Sequence, residues 1–379
     1  MTNLSIIASS TFGMEALVKK EIKKLGYEIT EVKNGRITFT GDLKAVAEAN
    51  LWLRTAERVM IKIGEFEALD FDQLYEGVKA LDWPKWLPEN AEFPVSGKSI
   101  DSQLSSVPTC QSVVKKAVVD SMKEKYGDQW FPEDGPLYPI EIALYKDQAL
   151  LTIDSSGTGL HKRGYRDLTV TAPIQETIAA GMIYLSRWDK DRILIDPFCG
   201  SGTILIEAAM IAKNQAPGLK RNFISEKWPI FDNMLWAKTR VEAKKAKKID
   251  VEPRLIMGYD HDPEAISIAR YHAKKAGVDD LIHFQEKKFE DFSSSRKYGY
   301  IITNPPYGKR MSDQEEVEAL YKKMGEKFRD LDTWSYYIIT SHPNFEEIFA
   351  KEADKRRKLY SGGMETHYYQ YYGPWPPKN

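Results

Sequence analysis

Two short stretches of this sequence carry the residue types that could do chemistry. The first is Asp196-Pro197-Phe198-Cys199-Gly200-Ser201-Gly202-Thr203, and the second is Asn304-Pro305-Pro306-Tyr307. The leading carboxylate of the first stretch suits a ligand amine, and its glycines allow a ligand to approach the backbone closely. The spacing is not that of a phosphate-binding loop, because no Lys-Ser or Lys-Thr follows the glycines. We predict a cofactor with an amino-acid part, held by Asp196, Phe198, Gly200, Gly202 and Thr203.

The second stretch suits a reaction at an exocyclic amine of a nucleic-acid base. The lone pair of such a nitrogen is delocalised into the ring, which makes the nitrogen a poor nucleophile. The side-chain oxygen of Asn304 and the carbonyl of Pro305 could accept its two N–H bonds and favour a tetrahedral geometry. Pro306 stiffens the segment, and Tyr307 offers a face on which the base can stack. We predict all four residues to be catalytic, with Asn304 also contacting the cofactor and no metal required.

Three further positions bear on the cofactor. Asp260 ends the next strand, where it could accept both hydroxyls of a ribose. Asp262 is predicted to cap the following helix. An acidic residue on the third strand would suit an adenine amine, but Lys288 stands where it is expected, so we predict only that Phe289 covers the ring. Cys199 could be the nucleophile of a cytosine methylase, but its place inside the cofactor loop favours a small packed residue.

These stretches must be positioned by a parallel sheet. From residue 191 the sequence alternates between strand and helix patterns, with strands at 192–196, 254–260, 281–285, 299–303 and 334–340, helices at 203–213, 263–276, 314–330 and 344–353, and a terminal hairpin at 357–371. A helix over 172–186 precedes them. Five parallel strands and an antiparallel hairpin are the layout of a Rossmann-like class I methyltransferase sheet. Both chemical stretches follow a strand, and ligands of open α/β sheets bind at that edge.

The first half of the sequence has α+β patterns and no catalytic constellation. Residues 1–65 read β-α-β-β-α-β, the order of a ferredoxin-like unit, with Asn34-Gly35 as a hairpin turn. Residues 66–155 form a second α+β block. A linker at 156–170 carries Lys162, Arg163, Tyr165 and Arg166, which could hold phosphates and stack on bases. We predict these four residues to contact RNA.

Composition sets further bounds on the class of protein. The 379 residues are 42% hydrophobic with a net charge of -1, so the protein folds but shows no overall nucleic-acid signature. Two distant cysteines provide neither a disulfide framework nor a zinc motif, which favours the reducing cytoplasm. We expect no signal peptide and no membrane span. Whether the protein is a monomer or a homodimer stays open.

The motifs D-P-F-C-G-S-G-T, N-P-P-Y-G and H-K-R-G-Y-R followed by A-P-I-Q-E-T resemble those of the THUMP-domain RNA guanine methyltransferases. The resemblance covers nearly the whole chain: a ferredoxin-like part at 1–65, a THUMP domain at 66–155 and a methyltransferase domain at 171–379. It implies that Asp196, Gly200, Gly202 and Asp260 bind S-adenosylmethionine (SAM), and that residues 304–307 hold the target base. Lys288 departs from the family pattern at the adenine contact.

The predicted function is therefore SAM-dependent methylation of a guanine amine in RNA. The resemblance favours 23S ribosomal RNA, as in the bacterial enzymes with a single methylase domain. Three alternatives remain: methylation of guanine in tRNA, of adenine N6 in DNA, or a role as an RNA-binding assembly factor without turnover. The intact Asn-Pro-Pro-Tyr motif argues against the last, since a site without turnover has no physical need for it.

Overall fold

The computed structural model describes residues 3–128, 130–168, 173–248, 251–252, 255–307, 314–361 and 363–377. The chain forms two compact units. The first unit contains residues 1–10, 18–160 and 222–242. The second contains residues 11–17, 161–221 and 243–379. The predicted boundaries at 65, 155 and 170 divide the chain strictly in order, whereas the two units exchange short segments.

The first unit contains one seven-stranded sheet with helices packed on it. In chain order its elements are β1 (Leu4–Ser10), α1 (Glu15–Lys24), β2 (Glu28–Lys33), β3 (Arg36–Gly41), α2 (Leu43–Trp52), β4 (Ala56–Glu67), α3 (Phe71–Lys79), β5 (Val95–Ile100), α4 (Val107–Tyr126), β6 (Ile140–Tyr145) and β7 (Gln148–Asp154). Helix α1 begins in residues of the second unit and continues into the first. The strand order is β2-β3-β1-β4-β7-β6-β5. The predicted β-α-β-β-α-β order and its Asn34-Gly35 turn are confirmed.

Strand β4 joins the two α+β blocks that the sequence predicts. It is 12 residues long, and it pairs antiparallel with β1 on one side and with β7 on the other. Its central residues Val59, Met60 and Ile61 are buried. A strand that pairs on both edges buries backbone donors and acceptors without leaving them unsatisfied. The ferredoxin-like block and the block after it therefore share one sheet.

Residues 222–242 complete the first unit, although they lie in sequence between the cofactor loop and Asp260. The ring of Trp228 stacks on that of Tyr138 with centroids 4.5 Å apart, and its indole N–H donates to the carbonyl of Leu137. Ser225 donates its hydroxyl to the carbonyl of Ser155. Helix α7 (Asn233–Lys245) ends this segment. No local sequence pattern predicts this packing, because its partners Leu137, Tyr138 and Ser155 are distant in the chain.

The second unit contains the predicted Rossmann-like sheet. Its elements are α5 (Glu176–Leu185), β8 (Leu194–Asp196), α6 (Thr203–Ala212), β9 (Ile256–Asp260), α8 (Pro263–Ala276), β10 (Ile282–Glu286), β11 (Tyr300–Thr303), α9 (Gln314–Arg329), β12 (Ser335–Thr340), α10 (Phe345–Phe349), β13 (Lys355–Ser361) and β14 (Met364–Tyr371). The order is β10-β9-β8-β11-β12-β14-β13. The first five strands of this order are parallel, and β14 is antiparallel to both of its neighbours. The predicted fold class is confirmed.

One helix begins later than predicted. The pattern at 172–186 predicts a helix with Pro173 in its first turn, but α5 begins at Glu176. Residues 169–172 lie outside the described residues. Gln175 has extended backbone angles, and the carbonyl of Ile174 accepts a hydrogen bond from Arg166 instead of from a helical amide.

Within the described residues, no helix has the length and apolar character needed to cross a membrane.

Candidate active site

Asp196, the last residue of β8, is the buried centre of the site. Its residue surface is only 2% exposed. The Oδ1 atom accepts the backbone N–H of Phe198 at 3.1 Å and the hydroxyl of Thr303 at 2.6 Å. Burial raises the pKa of Asp196 to about 7, and the nearby charge of Asp260 adds to the shift. This carboxylate is thus engaged within the protein, and it ties the cofactor loop to the end of β11.

The hydroxyl of Thr303 places the Asn-Pro-Pro-Tyr segment beside the cofactor loop. Strands β8 and β11 are parallel neighbours, with Ile195 opposite Ile301. Asn304 follows Thr303 directly, so the predicted catalytic segment starts one residue after the contact with Asp196. Asn304 and Tyr307 are half-buried, Pro305 is buried and Pro306 is exposed. The two predicted stretches therefore meet at the carboxyl edge of one sheet.

Asp260, at the end of β9, holds the glycine turn of the cofactor loop. Its Oδ2 accepts the backbone N–H of Gly200 at 2.9 Å, and its Oδ1 accepts the N–H of Asp262 at 3.0 Å. Gly200 has a φ of +50°, and a Cβ atom built on it would have no heavy atom within 4 Å. The loop thus presents bare backbone to open space beside a carboxylate. Asp262 caps α8 as predicted, and the His261 side chain is 77% exposed.

Gly202 is a glycine for a different reason from the one the sequence predicts. Its φ is +80°, and an added Cβ would lie 2.7 Å from the ring of Phe284 and 3.2 Å from Ala269. The close approach is therefore between the loop and the core of the second unit, not between the loop and a ligand. Thr203 begins α6 and is buried. Gly202 and Thr203 therefore lie on the side of the loop that packs against the core.

Two aromatic rings continue the site towards β10. Phe198 and Phe289 stack with centroids 4.9 Å apart, and Phe289 is buried while Phe198 is half-buried. Phe289 also contacts the rings of Phe292 and Phe328, so Phe198 is the more accessible ring of the stacked pair. Lys288 precedes the short 3-10 turn over Phe289–Asp291 and is exposed.

One acidic residue at this edge is absent from the predicted site. Glu286 ends β10, is exposed, and lies opposite Asp260 in the parallel register of β9 and β10. Carboxylates on neighbouring strand ends face the same edge of the sheet. The predicted strand ends at residue 285 and puts the adenine contact at Lys288, whereas β10 continues to Glu286.

The predicted RNA contacts of the linker divide into exposed and buried residues. Arg163 and Tyr165 are 2% and 1% exposed, and both contact the fully buried carboxylate of Glu207. Arg166 pairs with Glu176 at 3.5 Å and donates to the carbonyl of Ile174 at 2.8 Å.

Only Lys162 among the four predicted contacts is exposed. Direct RNA contact by Arg163 and Tyr165 does not fit their burial. The physical reason is that two carboxylates on α5 and α6 enter the core of the second unit and require cationic or hydroxyl partners there.

Cys199 is a packed residue rather than a nucleophile. It is 7% exposed, and its backbone N–H donates to the carbonyl of Tyr259 at 2.9 Å. Burial and the neighbouring Asp196 and Asp260 raise the pKa of the thiol well above its ordinary range. The thiolate needed for attack on a base is therefore disfavoured. Within the described residues, no three His, Cys, Asp or Glu side chains form a group able to hold a metal ion.

Three known domain families match this chain in sequence order. An RlmL ferredoxin-like domain matches residues 5–60, a THUMP domain matches 68–154, and an RMKL-like methyltransferase domain matches 163–370. The last match spans more than half of the chain. The chain belongs to the THUMP-containing RNA methyltransferase family. It is a methyltransferase that uses SAM, as the cofactor loop predicts.

Individual relatives share the full length. The Bacillus subtilis (strain 168) protein YpsC, named as a candidate RNA methyltransferase, is 48% identical over 100% of this chain and 98% of its own. A Listeria monocytogenes str. 4b F2365 structure, described as a predicted N6-adenine-specific DNA methylase, is 47% identical, with a TM-score of 0.94 and coverage of 99% and 97%. SMU.472, a candidate methyltransferase solved with SAH, is 42% identical, with a TM-score of 0.92 and full coverage of both chains.

The residues of the site fit SAM. The open backbone at Gly200 gives a ligand close access to the loop, because no side chain is in the way. Asp260 keeps lone pairs for hydroxyl donors, because each of its oxygens accepts one backbone N–H. Glu286 adds a second exposed carboxylate at the same edge. Acidic groups of this kind suit a ligand that carries hydroxyls, amines and a positive charge.

Proposed function

We propose that this protein methylates the exocyclic N2 amine of a guanine in RNA, with 23S ribosomal RNA as the first substrate to test. The hydrogen bond between Thr303 and Asp196 carries the proposal, because it sets an amine-accepting Asn-Pro-Pro-Tyr segment beside the SAM loop. The THUMP match at residues 68–154 supports RNA as the substrate class. Ribosomal RNA is favoured over tRNA by the resemblance of the motifs alone.

The proposed chemistry needs orientation more than acid or base catalysis. When bound, SAM supplies a methyl group made electrophilic by its sulfonium. The side-chain oxygen of Asn304 and the carbonyl of Pro305 accept the two N–H bonds of the base amine, which directs the nitrogen lone pair out of the ring plane. Tyr307 provides a face for the base. Burial raises the pKa of the Tyr307 hydroxyl, so the ring stays neutral at the pH of the cell.

The cofactor contacts follow from the loop geometry. We propose that Gly200 and Asp260 hold the amino-acid and ribose parts of SAM, with Phe198 and Phe289 beside the adenine ring. Asp196, Gly202 and Thr203 hold the loop in place through their contacts with the core and do not themselves touch SAM in this proposal. Glu286 is the proposed partner of the adenine amine, in place of the acid that Lys288 replaces.

We further propose that Lys162 contributes to RNA binding, because it is the exposed cation of the linker. The protein is proposed to act in the cytoplasm, where its free cysteines Cys110 and Cys199 would remain thiols. A second candidate function is adenine N6 methylation in DNA. It is supported by the Asn-Pro-Pro-Tyr motif, which adenine methylases share, and by the description of the Listeria relative as an adenine-specific DNA methylase.

One experiment separates these substrates. Ribosomal RNA, tRNA and DNA from a strain that lacks the gene are digested and mapped by mass spectrometry, and the purified protein is then supplied with each unmodified nucleic acid and labelled SAM. Loss and restoration of one N2-methylguanosine in 23S RNA would support the proposal. The same result in tRNA would identify tRNA as the substrate instead of ribosomal RNA. Loss of N6-methyladenine from DNA would overturn the proposal. Absence of turnover on all three would favour the assembly factor.

A further inference from the structure

A tyrosine of helix α9 lies directly behind the Asn-Pro-Pro-Tyr segment. Tyr321 has no exposed surface, and its hydroxyl oxygen is 2.9 Å from the carbonyl oxygen of Pro306. The same hydroxyl is 2.9 Å from Oγ1 of Thr340, at the end of β12. A carbonyl can only accept, so the single hydroxyl proton of Tyr321 goes to Pro306.

This assignment fixes the direction of the next hydrogen bond. Since Tyr321 donates to Pro306, Thr340 must donate to Tyr321. Thr340 in turn accepts the backbone N–H of His342 at 3.1 Å. Three hydrogen bonds therefore run in one direction from β12 to the carbonyl of Pro306. In a buried chain of this kind, each donor polarises the next one.

The segment needs an external anchor because of its prolines. Pro305 and Pro306 have no backbone N–H, so the segment cannot hold itself through its own amides. The carbonyl of Pro306 belongs to the peptide group that leads into Tyr307. A fixed orientation of this peptide plane fixes the start of the Tyr307 side chain. Burial raises the pKa of Tyr321, so its hydroxyl remains a donor throughout the physiological range.

We propose that Tyr321 is a positioning residue that orients Tyr307 against the target base, and that Thr340 directs its hydroxyl. The inference rests on the proposed function, because that function gives Tyr307 its role. A purely structural reading is that Tyr321 is a core tyrosine with a satisfied hydroxyl. The two readings differ in what the hydroxyl does to turnover.

The second unit contains a matched control. Tyr336 is 4% exposed, lies on β12, and donates its hydroxyl to the carbonyl of Phe328 in α9 at 2.7 Å. Tyr321 and Tyr336 therefore each lose one buried hydrogen bond to a backbone carbonyl when changed to phenylalanine, and Tyr321→Phe also loses the bond to Thr340. Only the Tyr321 bond ends on the catalytic segment.

The test compares Tyr321→Phe with Tyr336→Phe in the full chain. Thermal unfolding, SAM affinity by calorimetry, and kcat and KM on the nucleic acid identified by the mapping are measured at saturating SAM. Because the Tyr321 hydroxyl also has Thr340 as a partner, we expect Tyr321→Phe to lose more thermal stability than Tyr336→Phe, and we expect both variants to bind SAM as the wild type does. Tyr321→Phe alone should lower kcat by about tenfold to a hundredfold, the range that small misplacements of a reacting group produce. Thr340→Val should lower kcat less, and Thr340→Ser should restore it.

Wild-type kcat in Tyr321→Phe, or an equal loss of kcat in Tyr336→Phe, would overturn the positioning role. This outcome differs from failure of the proposed function. If the mapping identified an adenine amine instead of guanine, the guanine proposal would fall, yet the comparison of the two variants could still be made on that amine.

Discussion

The hydroxyl of Thr303 donates a hydrogen bond to Oδ1 of Asp196 over 2.6 Å, and both residues are buried. Asp196 is the last residue of β8, which leads into the 196–203 loop, and Thr303 is the last residue of β11, which leads into Asn304. A short, buried hydrogen bond between neighbouring strand ends holds the two ends together. The relative position of the 196–203 loop and the Asn304–Tyr307 segment is therefore set within the sheet.

Removal of this donor should affect both stability and turnover. Thr303→Val keeps the shape of the side chain but leaves the buried carboxylate one donor short, at a cost of about 1–3 kcal/mol in the free energy of unfolding. We expect turnover to fall because the two loops lose their common support. Thr303→Ser keeps the hydroxyl and should recover most of both losses. Chemical denaturation measures the loss of stability, and methyl-transfer assays measure the loss of turnover. Wild-type stability and turnover in Thr303→Val would contradict the idea that this hydrogen bond supports both loops.

Asp196 should make stability depend on pH. Its pKa is raised to about 7 in the folded protein, so the folded state holds a proton that the unfolded chain releases near pH 4. This contribution to stability is present below about pH 4, declines as the pH rises to about 7, and is absent above that. Asp196→Asn keeps an acceptor for both hydrogen bonds without the charge. The difference in Tm between variant and wild type should grow with pH, whereas parallel curves would contradict the assignment.

Asn304→Ala should separate binding from chemistry. The proposed amide acceptor matters most when the amine nitrogen changes geometry, so turnover should fall by roughly 10²–10³ while SAM affinity stays near that of the wild type. Calorimetry and labelled methyl transfer provide the two readings. Asn344→Ala is the control, because Asn344 precedes α10 and makes no side-chain cap there. Undiminished turnover in Asn304→Ala would remove the amine-orienting role.

Asp260→Ala should weaken SAM binding by at least about tenfold. The change removes the proposed ribose acceptor and also the partner of the Gly200 amide. Asp262→Ala offers a comparison two residues away, where loss of the helix cap should cost about 1 kcal/mol of stability without a change in affinity. Calorimetric titration decides between them. Equal affinities for wild type and Asp260→Ala would count against the ribose assignment.

The linker cations should behave in opposite ways. Arg163→Ala leaves the buried Glu207 without its cation, which should cost about 3–5 kcal/mol of stability. Lys162→Ala should change stability by less than about 0.5 kcal/mol and weaken RNA binding, with a weaker dependence on salt. Unfolding curves and RNA titrations at two salt concentrations measure both. A stable Arg163→Ala variant with lost RNA affinity would restore the direct contact that the sequence suggests.

The sequence by itself determined the Rossmann-like sheet, its terminal hairpin and the two stretches that meet at the strand ends. These features depend on local patterns: the alternation of apolar strands and helices, the Gly200 turn, and a motif that is contiguous in the chain. The same patterns indicated the ferredoxin-like block and the cap at Asp262. Residues that follow the ends of parallel strands lie together at the carboxyl edge of the sheet because of the strand topology alone.

Only the tertiary structure decided which of the predicted binding residues are engaged in contacts within the protein. Asp196, Gly202 and Arg163 look like binding residues in sequence, yet Thr303, Phe284 and Glu207 occupy the space around them. Tyr321 is far from Pro306 in sequence, and no local pattern links its hydroxyl to that carbonyl. Burial and hydrogen-bond partners arise from contacts between distant segments, and these contacts form only when the chain folds.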